Sequence, residues 1–200
     1  MSDNAARDDI AFIRRAMEEG RAYARLRSPE FAVWGLAIAC GYFGTYARVT
    51  GLWSLDPRIV WWVPVGLAWV FTLRDAIPVW LGRKPAGAEA PTLMVRTLRA
   101  LWLGYGISAM TLAVVAFSSD MHTGWFDAVA AAMLGLCFFV SAAVSDLRWL
   151  RGLALCWWAA SVVLLRMSNG PEALLVGGSF MLAFLFVPGL ILWLRPAAHD

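Results

Sequence analysis

Charge and histidine are scarce in this chain. Only 16% of its 200 residues are charged, and it holds 2 His and 3 Cys. A soluble domain runs to about 25% charged residues. The cysteines, Cys40, Cys137 and Cys156, all fall inside apolar runs and form no CxxC pair. An odd count in that setting argues against a disulfide framework and against a zinc site. Three thiols at one depth could hold a soft metal such as Cu(I), but buried Cys is more often a small apolar filler. His122 and His199 are paired with neither each other nor a Cys at ligand spacing. No metal and no cofactor is expected. There is no Gly-rich phosphate loop, no HExxH and no GxSxG, and no nucleophile stands beside a base. An enzyme is therefore not expected; a membrane enzyme acting on lipid would need catalytic residues that the sequence does not nominate. The first 30 residues hold Asp3, Asp8, Asp9, Glu18 and Glu19 and lack an apolar core, so a cleavable signal peptide is not expected either.

What the chain has instead is apolar length. It is 60% hydrophobic, with 12 Trp and 11 Phe, and its mean hydropathy is +0.64. Residues 126–144 carry no charge after Asp127 for 17 residues, no Pro and one Gly. They show neither two-residue alternation nor the polar stripe of a water-facing helix. A bilayer core about 30 Å thick needs about 20 apolar residues at a rise of about 1.5 Å each. Five similar segments surround this one. The expected fold class is all-α: a polytopic α-helical membrane protein with six transmembrane helices and an N-terminal amphipathic helix.

In chain order, residues 1–29 read as a cytoplasmic amphipathic helix. Ile10, Ile13 and Met17 recur at three and four, and Arg14–Glu18 and Arg15–Glu19 pair on the other side. Arg21, Arg25 and Arg27 then cluster before the first span. Such a helix suits the membrane surface, its arginines facing anionic headgroups; packing on the chain's own cytoplasmic loops is an equal reading. Residues 30–195 form the transmembrane domain, with spans at about 31–48, 59–73, 98–117, 126–144, 152–165 and 172–194. The fifth is short unless it starts at Leu147. Residues 82–97 are the longest connection, a flexible polar loop, and residues 196–200 are a short cytoplasmic tail.

Orientation follows from the basic residues. Arg48, Arg58 and Arg166 fall on one side of the spans; the other fourteen of the 17 Lys and Arg fall on the opposite side. That asymmetry places both termini in the cytoplasm and explains the net charge of +3 without nucleic acid, which is not expected as a partner. An acid follows each outer turn, Asp56, Asp127 and Glu172. Ordinary helix capping accounts for all three.

Charge at membrane depth costs at least about 2.5–3.5 kcal/mol at a helix centre. The candidate binding residues are therefore Arg74 and Asp75 on span two, with Asp146 and Arg148 at the inner end of span four. They either pair across helices, forming a pocket for an anion, a headgroup or a proton, or mark helix ends and snorkel into headgroups. Pro64 and Pro188-Gly189 are candidate breaks of the kind carriers use. However, the middle thirds of all six spans lack Asp, Glu, Lys, Arg and His.

The layout resembles a group of uncharacterised small six-span bacterial inner-membrane proteins. The resemblance lies in the opening cytoplasmic helix, IAFIRRAMEEGR at residues 10–21, followed directly by a span containing Trp34-Gly35. It covers the first 45 residues and the six-span plan, and it implies a bacterial inner-membrane location but no activity. The expected function is a non-enzymatic interaction, assembly or regulatory component of a membrane complex. Its expected partners are the lipid bilayer and, through the N-terminal helix, another membrane protein or anionic lipid. Loop 82–97 and the small-residue faces of spans one and four (Gly35, Gly41, Gly44; Ala128, Ala131, Gly135) are further contact surfaces, those faces being better suited to packing within the chain. The rival is a small transporter or channel for an uncharged or anionic solute.

Overall fold

A computed structural model of the chain describes residues 29–74, 77, 93–118, 124–145, 147–167 and 170–194. They form six long helices and, among the described residues, no strand: α1 (Glu30–Val49), α2 (Pro57–Leu73), α3 (Leu93–Ser118), α4 (Gly124–Ser145), α5 (Arg148–Arg166) and α6 (Glu172–Leu194). Residues 1–28 of the expected amphipathic helix 1–29, most of loop 82–97, and the tail lie outside the described residues.

Four helices are long and apolar enough to cross a membrane: α4, α5, α6, and α3 over Arg96–Ala116. α2 is apolar but has 17 residues. α1 has 20 residues, and its Gly, Tyr and Thr dilute its hydropathy.

Local sequence sets most helix ends. Pro29 precedes α1, and its carbonyl accepts the first rung from Val33 N–H at 2.8 Å. At the far end Gly51 takes φ +79°, a left-handed conformation that glycine adopts without a Cβ penalty. The N–H of Gly51 then reaches Arg48 O at 3.1 Å, and that of Leu52 reaches Ala47 O at 2.8 Å. This is a Schellman stop, which satisfies carbonyls that the helix end would leave open. Asp56 caps α2 by accepting from Arg58 N–H at 2.7 Å, with Pro57 at the first helical position.

Two starts differ from expectation. α3 begins at Leu93 rather than 98, so the last part of loop 82–97 is helical; Leu, Met and Arg there are strong helix formers. α5 begins at Arg148 with Leu147 as its N-cap, within one residue of the earlier of the two readings, and Leu150 is thereby placed in the core, where it is buried.

The two prolines behave differently. α2 runs through Pro64 without interruption. In α6, residues Leu182–Phe186 form a π-turn, and Val187 N–H bonds Leu182 O, five residues back. The widened turn comes just before Pro188, which has no N–H and whose ring would crowd the carbonyl of residue 184 in an unbroken α-helix.

The helices alternate in direction. α4 and α5 make a tight hairpin in which Ala131, Leu134, Phe138 and Ala142 meet Leu150, Ala154, Trp157, Ala160 and Leu164. α1 lies against α2 and the whole of α6. A Cβ on Gly35 would lie 2.5 Å from the backbone N of Phe186, and one on Gly189 would strike the backbone N of Ala32. The two backbones thus touch, which small residues permit. Gly41 makes room for Trp61, Gly44 for Val60 and Trp53, and Gly135 for Trp158. The small-residue faces therefore pack within the chain. Among the described residues α3 packs mainly on α4, and its Trp102 also meets Phe31 of α1 edge-on at 4.7 Å.

Candidate functional site

Among the described residues, one acid at a helix start meets a distant side chain. Asp127 sits in the first turn of α4, as expected. Its Oδ1 accepts a 2.6 Å hydrogen bond from the hydroxyl of Tyr42 on α1. Asp56 is a cap of its own helix; Asp127 also ties α4 to α1, which brings a buried phenol (Tyr42 is 4% exposed) within reach of the carboxylate. Gly177 of α6 gives the Tyr42 ring its space, and Trp61 packs edge-on to it with centroids 5.3 Å apart. Four helices therefore hold this pair. A charge-assisted bond of this kind is roughly twice as strong as a neutral one. Glu172 makes no side-chain cap bond at its helix start.

Other interhelical polar contacts are similarly made between the chain's own groups. Trp34 Nε1–H donates to Thr72 Oγ1 at 2.9 Å, tying α1 to α2, and Trp61 Nε1–H donates to Thr45 Oγ1 at 2.8 Å. Trp102 Nε1–H donates to Ser141 Oγ at 3.2 Å, joining α3 to α4. Ser161 donates to Ala128 O at 2.7 Å and Trp158 to Ala132 O at 3.2 Å, both within the α4–α5 hairpin. Trp125 and Trp157 are exceptions: among the described residues neither buried indole N–H has an acceptor, and Trp157 is fully buried. Its ring meets Phe184, in the π-turn, edge-on at 5.9 Å.

These ties also set which ends lie together. The pairs Trp34–Thr72, Trp102–Ser141 and Phe31–Phe138 gather the Glu30 end of α1, the Arg74 end of α2, the Arg96 end of α3 and the Ser145 end of α4. The Ala32–Gly189 contact adds the Leu194 end of α6. Arg74, Arg96, Arg99, Arg148 and Arg151 consequently lie toward one end of the bundle, and Arg48, Arg58 and Arg166 toward the other.

Of the four residues expected to form a polar pocket, Asp75 and Asp146 lie outside the described residues. Arg74 is exposed at the C-cap of α2, its guanidinium 3.7 Å from the centroid of the Phe71 ring, a cation–π arrangement on its own helix. Arg148 is exposed as the first residue of α5. The described geometry of both suits the end of a helix. Cys40 is exposed, Cys137 buried and Cys156 half-buried, all as free thiols, and no metal-holding group of His, Cys, Asp or Glu occurs among the described residues.

Sequence reasoning missed the Tyr42–Asp127 pair. The available signal was a phenol in span one and an acid in a span of otherwise unbroken apolarity; nothing local says that they meet. Comparison with protein-family models, curated proteins and solved structures finds no match.

Proposed function

We propose that the chain is a six-span protein of a bacterial inner membrane, both termini cytoplasmic, acting without catalysis as an interaction, assembly or regulatory component of a membrane complex. Its topology draws support from the arginines, which the alternating helices sort to opposite ends with the larger share on one. Reporter fusions at residues 52 and 200 test this: activity of a periplasmic reporter at 52 and a cytoplasmic one at 200 is expected. The reverse pattern would overturn the orientation.

The interaction role rests on one observation. The interhelical polar side chains are committed to one another, Tyr42 to Asp127, Trp34 to Thr72 and Trp102 to Ser141, and small residues bring the backbones into contact. An interior tied in this way suits a fixed scaffold better than a rocking carrier. Purification in mild detergent should recover a stoichiometric second membrane protein. A lone monodisperse species that moves solute in proteoliposomes would overturn the reading.

The transporter reading has the π-turn at Leu182–Phe186 in its favour, since such turns are frequent at functional sites. On that reading Arg74, Asp75, Asp146 and Arg148 form an inward-facing polar pocket, and Arg74→Ala or Asp75→Ala should abolish transport.

A further inference from the structure

The turn between α1 and α2 is held rigidly yet presents apolar side chains outward. The Schellman stop fixes residues 47–52. Trp53 Nε1–H folds back to Gly44 O at 2.9 Å, Arg48 donates to Leu55 O at 3.1 Å, and Asp56 caps α2. In a Schellman stop the residue in the position of Leu52 commonly packs back on the helix it terminates. Here Leu52 is 74% exposed, and Leu55 is 46% exposed. The following turns of α2 carry Ile59, Trp62 and Val63, also exposed. A rigid turn held open to water would have no reason to leave these side chains uncovered.

Helix length says what covers them. With 17 residues, α2 rises about 25 Å at about 1.5 Å per residue, against a hydrocarbon core of about 30 Å. Arg74 and the arginines beside it hold one end of α2 at a headgroup layer. Its other end, at Asp56 and Pro57, then falls short of the opposite surface by a few ångströms. That depth is the boundary where Trp rings and short apolar side chains are at home, and exposed Arg58 there can reach lipid phosphate.

We propose that the 50–56 turn is immersed in the lipid surface, with Leu52 and Leu55 inserted at the headgroup–acyl boundary and the bilayer thinned beside α2. The inference rests on the membrane-spanning reading and goes beyond it by naming a lipid-contacting element.

The test uses the full chain with Cys40, Cys137 and Cys156 replaced by Ala and a single environment-sensitive fluorophore on Leu52→Cys, in phosphatidylcholine vesicles. Expected results are blue-shifted emission, loss of intensity with lipids carrying a nitroxide near the headgroup, and little loss with aqueous iodide. Moving to short-chain lipid should shift the emission toward red, because the turn then emerges. Red, iodide-quenched emission in long-chain vesicles overturns the proposal. Blue emission insensitive to the nitroxide lipids also overturns it, since protein would then cover the turn. The same label on Leu136→Cys of α4 separates the two readings: lipid quenching there with water at Leu52 sinks only this inference, and water at both sinks the membrane reading. Should the cysteine-free chain fail to fold, the native-cysteine protein and its Trp53→Phe variant are compared in lipids brominated near the headgroup; wild type should lose the larger fraction of its tryptophan emission, and equal losses overturn the proposal.

Discussion

α1 and α3 invert the usual relation between apolarity and burial. α3 is apolar enough to cross a membrane, yet only 6% of its spanning window is buried. α1 falls outside that class, yet Ala32, Gly35, Ala37, Ala39, Gly41, Tyr42 and Gly44 are all buried. Six of those seven are Ala or Gly. Between helices in lipid, acyl chains compete with neighbouring side chains on nearly equal terms, so hydrophobicity does not choose which face packs. Close approach does, and small residues permit it. α1 turns its small residues toward its neighbours, where they admit the Phe186 backbone and the Trp61 ring, whereas Gly104 of α3 meets nothing within 4 Å.

Four sets of substitutions sharpen or break this contrast. The largest effect is expected from Gly35→Leu, whose side chain has the Phe186 backbone in its way. Overpacking of this kind commonly costs about 1–3 kcal/mol and occasionally more; against immovable backbone the upper figure or beyond is expected, read as loss of folded protein in detergent. Its counterpart Gly104→Leu on α3 meets nothing within 4 Å and should be tolerated; equal damage from both would end the contrast.

Next comes Trp157→Ala in the α4–α5 core. Large aromatic truncations cost about 3–5 kcal/mol in water-soluble cores. The low end is expected here, because packing contacts rather than escape from water are lost. Trp157→Phe should cost clearly less, since it keeps most of the ring and removes the indole N–H that has no acceptor. Chemical unfolding in mixed micelles reads both.

Third is Tyr42→Phe, which breaks the tie from α1 to Asp127. Interhelical bonds in membranes average about 0.6 kcal/mol, while bonds to charged groups reach about 1.5–3, so about 1–2 kcal/mol is expected. A double-mutant cycle with Asp127→Asn should show coupling; additive effects would mean that the 2.6 Å contact contributes nothing net. The smallest effects belong to α3: Leu103→Ala and Ile107→Ala, both at exposed positions, should stay within about 0.5 kcal/mol.

Much of this architecture was legible in the sequence where the signal is local. The expected span at 172–194 coincides with α6, and that at 126–144 lies within Gly124–Ser145. Asp56 reads as a cap and is one, because a cap needs only its own next few residues. Local reasoning failed where distant segments decide. Leu150 pulls the start of α5 back to Arg148 because the core requires it, and Asp127 gains a partner only because Tyr42, 85 positions earlier, arrives beside it. Pro64 and Pro188 look alike as helix breakers in a sequence, yet only the second stands beside a widened turn.

By itself the sequence determined that these residues form long helices and which of them are oily enough for a bilayer, since rise per residue and side-chain hydropathy are properties of the segment alone. Which helices touch, and through which faces, was decided only in the folded bundle. The reason is that lipid satisfies an apolar face as readily as a neighbouring helix does. The choice then falls to shape, to glycines that admit a backbone or an indole, and to hydrogen bonds such as Tyr42–Asp127 whose two halves meet only in three dimensions.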